Sequence, residues 1–271
     1  MLFTDSTFIG IDPTAGHKPM AFVAIDGNLK LLAKDEGTLD EITAFVGGQQ
    51  SAVVAITSPQ QVNQGLMKMD EIRNTLKPVP RPGRWMGFRV AEYQLRQHKI
   101  HIMRTCSEEM KCPKWMQTGF DLYSRLKSMG YADYPDNNGE SQLLEVYPHA
   151  VFTTLLGRTP FSKASLEGRL QRQLVLHSQG LEIPDPMRFF EEITRYRIIK
   201  GMLPLDVLFE TPELDALAAA FTAWVAATAP GEVTLLGHPD EGLMVLPVPE
   251  LNPKYFCAIR LDPESGKGFL V

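Results

Sequence analysis

Along the first sixty residues, apolar positions fall in short blocks rather than long stripes. Phe8-Ile9-Gly10-Ile11-Asp12 is the first block, and Pro13 ends it by biasing Asp12 toward extended geometry and removing a ladder donor. Met20 to Ile25 is the second, and Asp26-Gly27-Asn28 is a turn signal leading into Leu29 to Ala33, so a hairpin is expected. Leu39, Ile42, Ala44, Phe45 and Val46 then recur at helical spacing behind Thr38, a suitable N-cap. Ala52-Val53-Val54-Ala55-Ile56 is uninterruptedly apolar, as a strand buried on both faces is. Strand, hairpin partner, strand, helix, strand predicts an α/β chain built on a mixed sheet with a helix-covered face.

Beyond this the pattern loosens. Pro59 to Gly87 has little periodicity and holds Pro78, Pro80, Pro82 and Gly83, which predicts a loop or lid over 60–87. The segment from Arg89 to Gln97 reads as helical, and so does Met116 to Met129, with Gly130 as its stop. Asp133 to Gly139 is turn-rich, and Gln142 to Val146 is a short strand ended by Pro148. Thr211-Pro212 opens a last helix with proline in its first turn, its core stripe being Leu214, Leu217, Ala218, Phe221, Trp224 and Val225. With no internal repeat or low-complexity linker, residues 1–271 read as a single domain carrying the lid and an insertion around 105–140.

Composition narrows the classes. With 44% hydrophobic and 22% charged residues in 271, the chain has ample material for a core, which excludes a disordered or disulfide-dependent scaffold. Its 27 Lys and Arg against 32 Asp and Glu leave −5, which argues against a uniformly basic nucleic-acid coat. Charge is nonetheless uneven: from Lys68 to Arg104 nine cations face three carboxylates. The Ala-rich run Leu214 to Ala229 carries Asp215 and falls short of the roughly 20 residues of a membrane span, so no membrane partner is expected. The amino terminus lacks the basic and apolar regions of a signal peptide. Cys106, Cys112 and Cys257 match neither a disulfide framework nor a zinc knuckle, and a reduced, cytoplasmic setting is expected.

Three carboxylates stand out by placement: Asp12 at the end of the first strand, Glu145 inside Leu143-Leu144-Glu145-Val146, and Asp215 in the apolar run. A charge in such surroundings needs a counter-ion, a hydrogen-bond partner or a metal, or it protonates. Gathered at one end of a sheet, the three would suit Mg²⁺ or Mn²⁺ and metal-assisted phosphoryl chemistry. Each also has a plainer reading: Asp12 as a turn residue before Pro13, Glu145 as a strand-edge charge, Asp215 as a complement to a helix amino terminus. Cations interleaved with aromatics, namely Arg81, Arg84 and Arg89 around Trp85 and Phe88, are the composition of a single-stranded nucleic-acid groove, though solvated loop charge explains them equally well. His98 and His101 have no further ligands in sequence to complete a zinc set, and no nucleophile elbow or Walker A loop occurs.

Four segments occur together in order: Gly10-Ile11-Asp12, Val54-Ala55-Ile56-Thr57-Ser58-Pro59, Leu144-Glu145-Val146-Tyr147-Pro148-His149-Ala150 and Leu214-Asp215-Ala216-Leu217-Ala218-Ala219-Ala220. They resemble the family called domain of unknown function four-two-nine, regarded as RNase H-like nucleases, and more distantly RuvC-type junction resolvases. Arg89-Val90-Ala91-Glu92 with Arg96, Leu155-Leu156-Gly157 leading to Lys163, Gly168, Arg169 and Arg172, and a closing strand over 237–247 extend the likeness across residues 8 to 248. The resemblance implies an RNase H-like mixed sheet flanked by helices. It also implies a metal-dependent nuclease, with Asp12, Glu145 and Asp215 as catalytic and metal-binding residues, Mg or Mn as cofactor and nucleic acid as partner. Arg89, Lys163, Arg169 and Arg172 would face the substrate.

The chain departs from that pattern at Thr57, where an acidic residue is usual. A hydroxyl supplies no anionic ligand, so metal binding should weaken; Asp26 and Glu92 are the candidate substitutes. Two other functions stay open: a catalytically degenerate relative that binds nucleic acid or protein, and an actin-like phosphotransferase. The second is suggested by Asp12-Pro13-Thr14-Ala15-Gly16, but that class normally needs two such domains.

Overall fold

The computed structural model describes residues 6–14, 18–81, 83–136, 141–257, 259–261 and 268–270. Its centre is a sheet that begins β1 (Thr7–Asp12), β2 (Met20–Ile25) and β3 (Leu31–Gly37), an antiparallel meander. Helix α1 (Leu39–Gly47) follows, and Thr38 caps it while the Glu41 carboxylate accepts the Thr38 backbone N–H at 2.7 Å. The chain then returns as β4 (Ala52–Ile56), parallel to β1. Two short helices come next in the expected loop or lid: a 3₁₀ turn at Leu66–Lys68 and α2 (Asp70–Thr75). Leu66, Met67 and Leu76 bury themselves against Val90 and Tyr93 there.

Helices α3 (Val90–Gln97) and α4 (Lys114–Ser128) precede β5 (Ala132–Asp133) and β6 (Gln142–Glu145). Then come α5 (Pro148–Leu156), α6 (Leu166–Ser178), α7 (Arg188–Glu191), α8 (Arg195–Ile199) and the 18-residue α9 (Thr211–Thr228). An antiparallel pair, β7 (Thr234–His238) and β8 (Gly242–Leu246), stands where a single closing strand was expected, because the turn at Pro239–Glu241 folds the segment back. A small separate pair, β9 (Ile259–Leu261) and β10 (Gly268–Leu270), ends the described chain. The order across the main sheet is β3-β2-β1-β4-β6-β8-β7, with β5 also paired to β6. Strands β1, β4, β6 and β8 run parallel. This mixed sheet, flanked by helices, is the α/β arrangement expected of an RNase H-like fold.

Alternation on the parallel strands explains the two cores. Ile9, Ile11, Val54 and Ile56 face Ile42 and Val46 of α1 and Leu122, Tyr123 and Leu126 of α4. Phe8, Val53, Ala55 and Leu144 face the other way, toward α5 and α9. Because both faces are covered, the strands are continuously apolar. Helix α9 lies directly on β1: a Cβ at Gly10 would stand 1.8 Å from Ala216 O and 2.5 Å from Ala220 N. Only glycine allows that approach, and alanines at 216, 218, 219 and 220 keep the helix surface thin enough to use it. No helix among the described residues is long and apolar enough to cross a membrane.

Candidate active site

In open α/β sheets ligands bind beyond the carboxyl ends of the parallel strands, and here three of the marked positions converge there. Asp12 is the last residue of β1, Thr57 follows β4, and Glu145 is the last residue of β6. All three line one cleft of about 710 Å³, with Tyr147, His149, Lys163, Arg172 and Asp215. The backbone contact at Gly10 fixes Asp215, one residue before Ala216, close to the same strand end.

Asp12 and Asp215 form the core of the cleft. Asp12 accepts the Thr14 backbone N–H at 2.7 Å and the Thr57 hydroxyl. Burial, then the neighbouring Asp215 charge, raise its pKa from 3.8 to about 7. Asp215 is 4% exposed, and burial pushes its pKa up despite Lys163, whose Nζ lies 2.9 Å from Oδ2. Burial works against the Lys163 ammonium, yet Asp215 and Asp12 outweigh it and hold its pKa above the ordinary value. At neutral pH the group is therefore two crowded carboxylates, one near its titration point, with one lysine between them and the solvent.

Lys163 is held by its loop rather than by its own stem. A Cβ at Gly168 would lie 1.8 Å from Ser162 O, so the loop packs directly onto the first turn of α6. Arg172 Nη1 donates to Phe161 O and Gly168 O, both at 2.9 Å, and the Thr211 hydroxyl donates to Lys163 O at 3.0 Å. Arg172 is almost fully buried, its guanidinium 5.3 Å from the Phe152 ring centroid and its flank lining the cleft. His149 lines the same wall; burial, then Arg172, His101 and Lys163, lower its pKa to about 4, so it is a neutral imidazole at pH 7. Burial lifts the pKa of Tyr147 to about 12.

Glu145 is brought to the cleft but is not free within it. Its carboxylate takes both Arg89 Nη1 and Nη2 at 2.8 Å, and Gln60 N–H at 2.9 Å. Arg89 is 1% exposed and also donates to the backbone oxygen of Glu241. Burial opposes its charge, but Glu145 more than compensates and raises its pKa. Around it, Glu92 accepts Arg89 N–H at 3.0 Å and the Thr105 hydroxyl at 2.6 Å, while Glu241 accepts Val90 N–H at 3.0 Å. Arg89 lines the cleft, but its guanidinium is taken up by Glu145 and the Glu241 carbonyl, and the Arg89–Glu145 pair is a buried strut that locks β6 to α3. Arg169 is likewise engaged, by Phe209 O, Leu208 O and Glu210, at the approach to α9 rather than in the cleft.

Of the two proposed substitutes for the acid absent at Thr57, Asp26 lies away from the cleft, while Glu92 lines it with its carboxylate already engaged. Asp26 caps the β2–β3 turn by accepting Asn28 and Lys30 N–H, and Glu92 is closed off by Thr105 and Arg89. Sequence reasoning also missed Glu241, whose burial nothing local announces.

Among the described residues, no group of three or more His, Cys, Asp or Glu is arranged to hold a metal. The donor chemistry that remains, two carboxylates with a threonine hydroxyl beside them, fits Mg²⁺ rather than zinc. Mg²⁺ is commonly held by one or two carboxylates and completed by waters and substrate phosphate.

The fold and its cleft define an α/β protein in which two carboxylates, Asp12 and Asp215, meet at the strand ends of an RNase H-like sheet. The model of the family described as "Protein of unknown function (DUF429)" matches residues 10–241, and the chain belongs to that family. No curated protein and no solved structure matched it.

Proposed function

We propose that the chain is a metal-dependent hydrolase of nucleic-acid phosphodiesters. Asp12 and Asp215 would hold a Mg²⁺ or Mn²⁺ ion, and Glu145 would support the site rather than ligate. The observation that carries this reading is the meeting of two carboxylates distant in sequence, Asp215 buried and Asp12 half-buried beside it, with Asp12 raised to about 7. Structural ion pairs seldom leave two acids crowded against each other, whereas functional sites do.

When bound, a divalent cation supplies Lewis-acid stabilisation of charge developing on the phosphoryl oxygens. This chain's residues do the rest. Asp12, steadied by Thr57 and Thr14, and Asp215, set by the α9–β1 contact, present oxygen ligands. Lys163, 61% exposed at its side chain, reorients from Asp215 toward a phosphate. Neutral His149 is positioned to accept or pass a proton at the cleft wall, and Tyr147 stays a phenol.

The test is cleavage of labelled single-stranded, duplex, hybrid and branched substrates with Mg²⁺ or Mn²⁺. Asp12→Asn and Asp215→Asn should each lower the rate by at least about a hundredfold, while Glu145→Gln should act mainly through stability. Undiminished cleavage by Asp12→Asn would overturn the assignment. One observation favours a second reading: Lys163 already neutralises Asp215 and Thr57 supplies no charge, as in a relative that binds nucleic acid without cutting it. Binding by the wild-type protein with no cleavage on any substrate would select it.

A further inference from the structure

A second cavity, of about 370 Å³, opens beside the Asp12–Asp215 cleft and shares Met103 and Thr105 with it. Its volume is within the roughly 300–1,000 Å³ of small-ligand pockets. The ten residues lining it include Lys68 and Arg104 and no carboxylate. Among the described residues neither cation has an acidic partner. Lys68 folds back over Gly65, and the Arg104 guanidinium lies against Gly87.

Arg104 sits 5.5 Å from the Phe88 ring centroid, Arg96 lies 5.8 Å from the same ring, and Arg84 is 4.9 Å from the Trp85 centroid. Trp85 and Phe88 in turn meet edge to face at 5.2 Å. A guanidinium lying against a ring still has N–H groups free to donate to an anion. The pocket is also prebuilt. Buried Asn63 ties three of its walls together, donating to Gly87 O at 3.2 Å, accepting Gly65 N–H at 2.7 Å, and donating its backbone N–H to Cys106 O at 3.0 Å. Thr105 is fixed by Glu92, and so through Arg89 to Glu145 on the cleft side.

We infer that this pocket is a second binding site, taking a backbone phosphate of a single-stranded nucleic acid on Lys68 and Arg104 next to the Trp85–Phe88 surface. Convergent unpaired cations select a phosphate, and adjacent aromatics select a strand whose bases are unstacked. The proposal relies on the preceding functional reading only for its choice of nucleic acid as the polyanion, since the strand would continue from here into the Asp12–Asp215 cleft.

Fluorescence anisotropy of a labelled oligothymidylate of roughly a dozen residues, in EDTA and low salt, tests it. Wild type should bind. The Lys68→Ala/Arg104→Ala variant should bind at least tenfold more weakly, with the slope of log affinity against log salt shallower by about 0.7 for each cation removed. Arg125→Ala, a surface cation paired with Asp40, should bind as wild type, and thermal melts should show all three folded. Absence of wild-type binding, equal binding by the double variant, or equally effective competition by inorganic phosphate at the same concentration of phosphate groups would overturn the subsite. Intact oligonucleotide binding through Lys68 and Arg104, with no cleavage of any substrate by the wild type, would remove the hydrolytic reading alone.

Discussion

At the scale of single residues, Asp12 has the most to report. Its carboxyl titrates near 3.8 when exposed and near 7 in the fold, so between those values the folded protein retains a proton that the unfolded chain has lost. Stability contributed by that proton is present at low pH and disappears as pH rises through 7. Each pH unit of displacement corresponds to about 1.4 kcal/mol, and Asp12 is partly open to the cleft, so even half of it amounts to about 2 kcal/mol. Asp12→Asn should accordingly be more stable than wild type at pH 8 in a chelator, by roughly 1–3 kcal/mol, and no more stable at pH 4. Urea denaturation at both pH values checks this; a wild type that is the more stable at pH 8 would contradict the crowding of Asp12 and Asp215. The same raised pKa means that cation binding releases a proton below neutrality, so Mg²⁺ affinity should climb with pH and level off above about 7.

The residue scale also shows what the sequence could and could not disclose. Asp12 and Asp215 were legible because a carboxylate at a strand end or in an alanine-rich stretch violates the local pattern. Arg89 was not legible as the partner of Glu145. The two are 56 positions apart, and an arginine near Trp85 and Phe88 reads as surface charge until tertiary structure encloses it. Removing one partner of such a buried pair typically costs about 3–5 kcal/mol, which makes Glu145 easy to mistake for a catalytic residue in activity screens.

At the scale of elements, the α9–β1 contact sets the site. Gly10 permits backbone to touch backbone, and the register of that contact decides where Asp215 falls. Gly10→Val would drive three carbons into the Ala216–Ala220 backbone. It should destabilise the protein by about 3 kcal/mol or more and reduce divalent-cation affinity in whatever population folds; calorimetric Mg²⁺ titration alongside urea denaturation measures both. A Gly10→Val variant as stable as wild type would mean that the helix is not held at this distance.

Elements were readable where one face differs from the other. The α1 helix, the hairpin and the buried β4 carry their period or their turn residues openly. Helix α5 does not, because six of its nine residues from Pro148 to Leu156 are buried and no polar stripe marks a face. The lid expected over 60–87 lacks periodicity because its 3₁₀ turn and α2 span three and six residues, too few to show one.

For the whole molecule, the two cavities and the sheet edge make one arrangement: acidic carboxylates at the strand ends, a prebuilt cationic pocket beside them, and a buried Glu92–Arg89–Glu145 network between. A net charge of −5 conceals this arrangement, since basic residues concentrate from Lys68 to Arg104 while Asp12 and Asp215 sit at the strand ends. The order β3-β2-β1-β4-β6 follows from the early blocks of the sequence. The cleft does not, because its walls come from many separate segments, spread from Asp12 to Met244, whose meeting depends on helix packing.

We propose that Asp12 and Asp215, without Glu145, hold the divalent ion. Anomalous diffraction from a crystal soaked in Mn²⁺ tests it most directly. The expected result is a manganese peak about 2.1 Å from carboxylate oxygens of both Asp12 and Asp215, with Lys163 turned away and the Arg89–Glu145 pair intact. A peak ligated by Glu145 with that pair broken, or no peak between the two aspartates at saturating Mn²⁺, would contradict it.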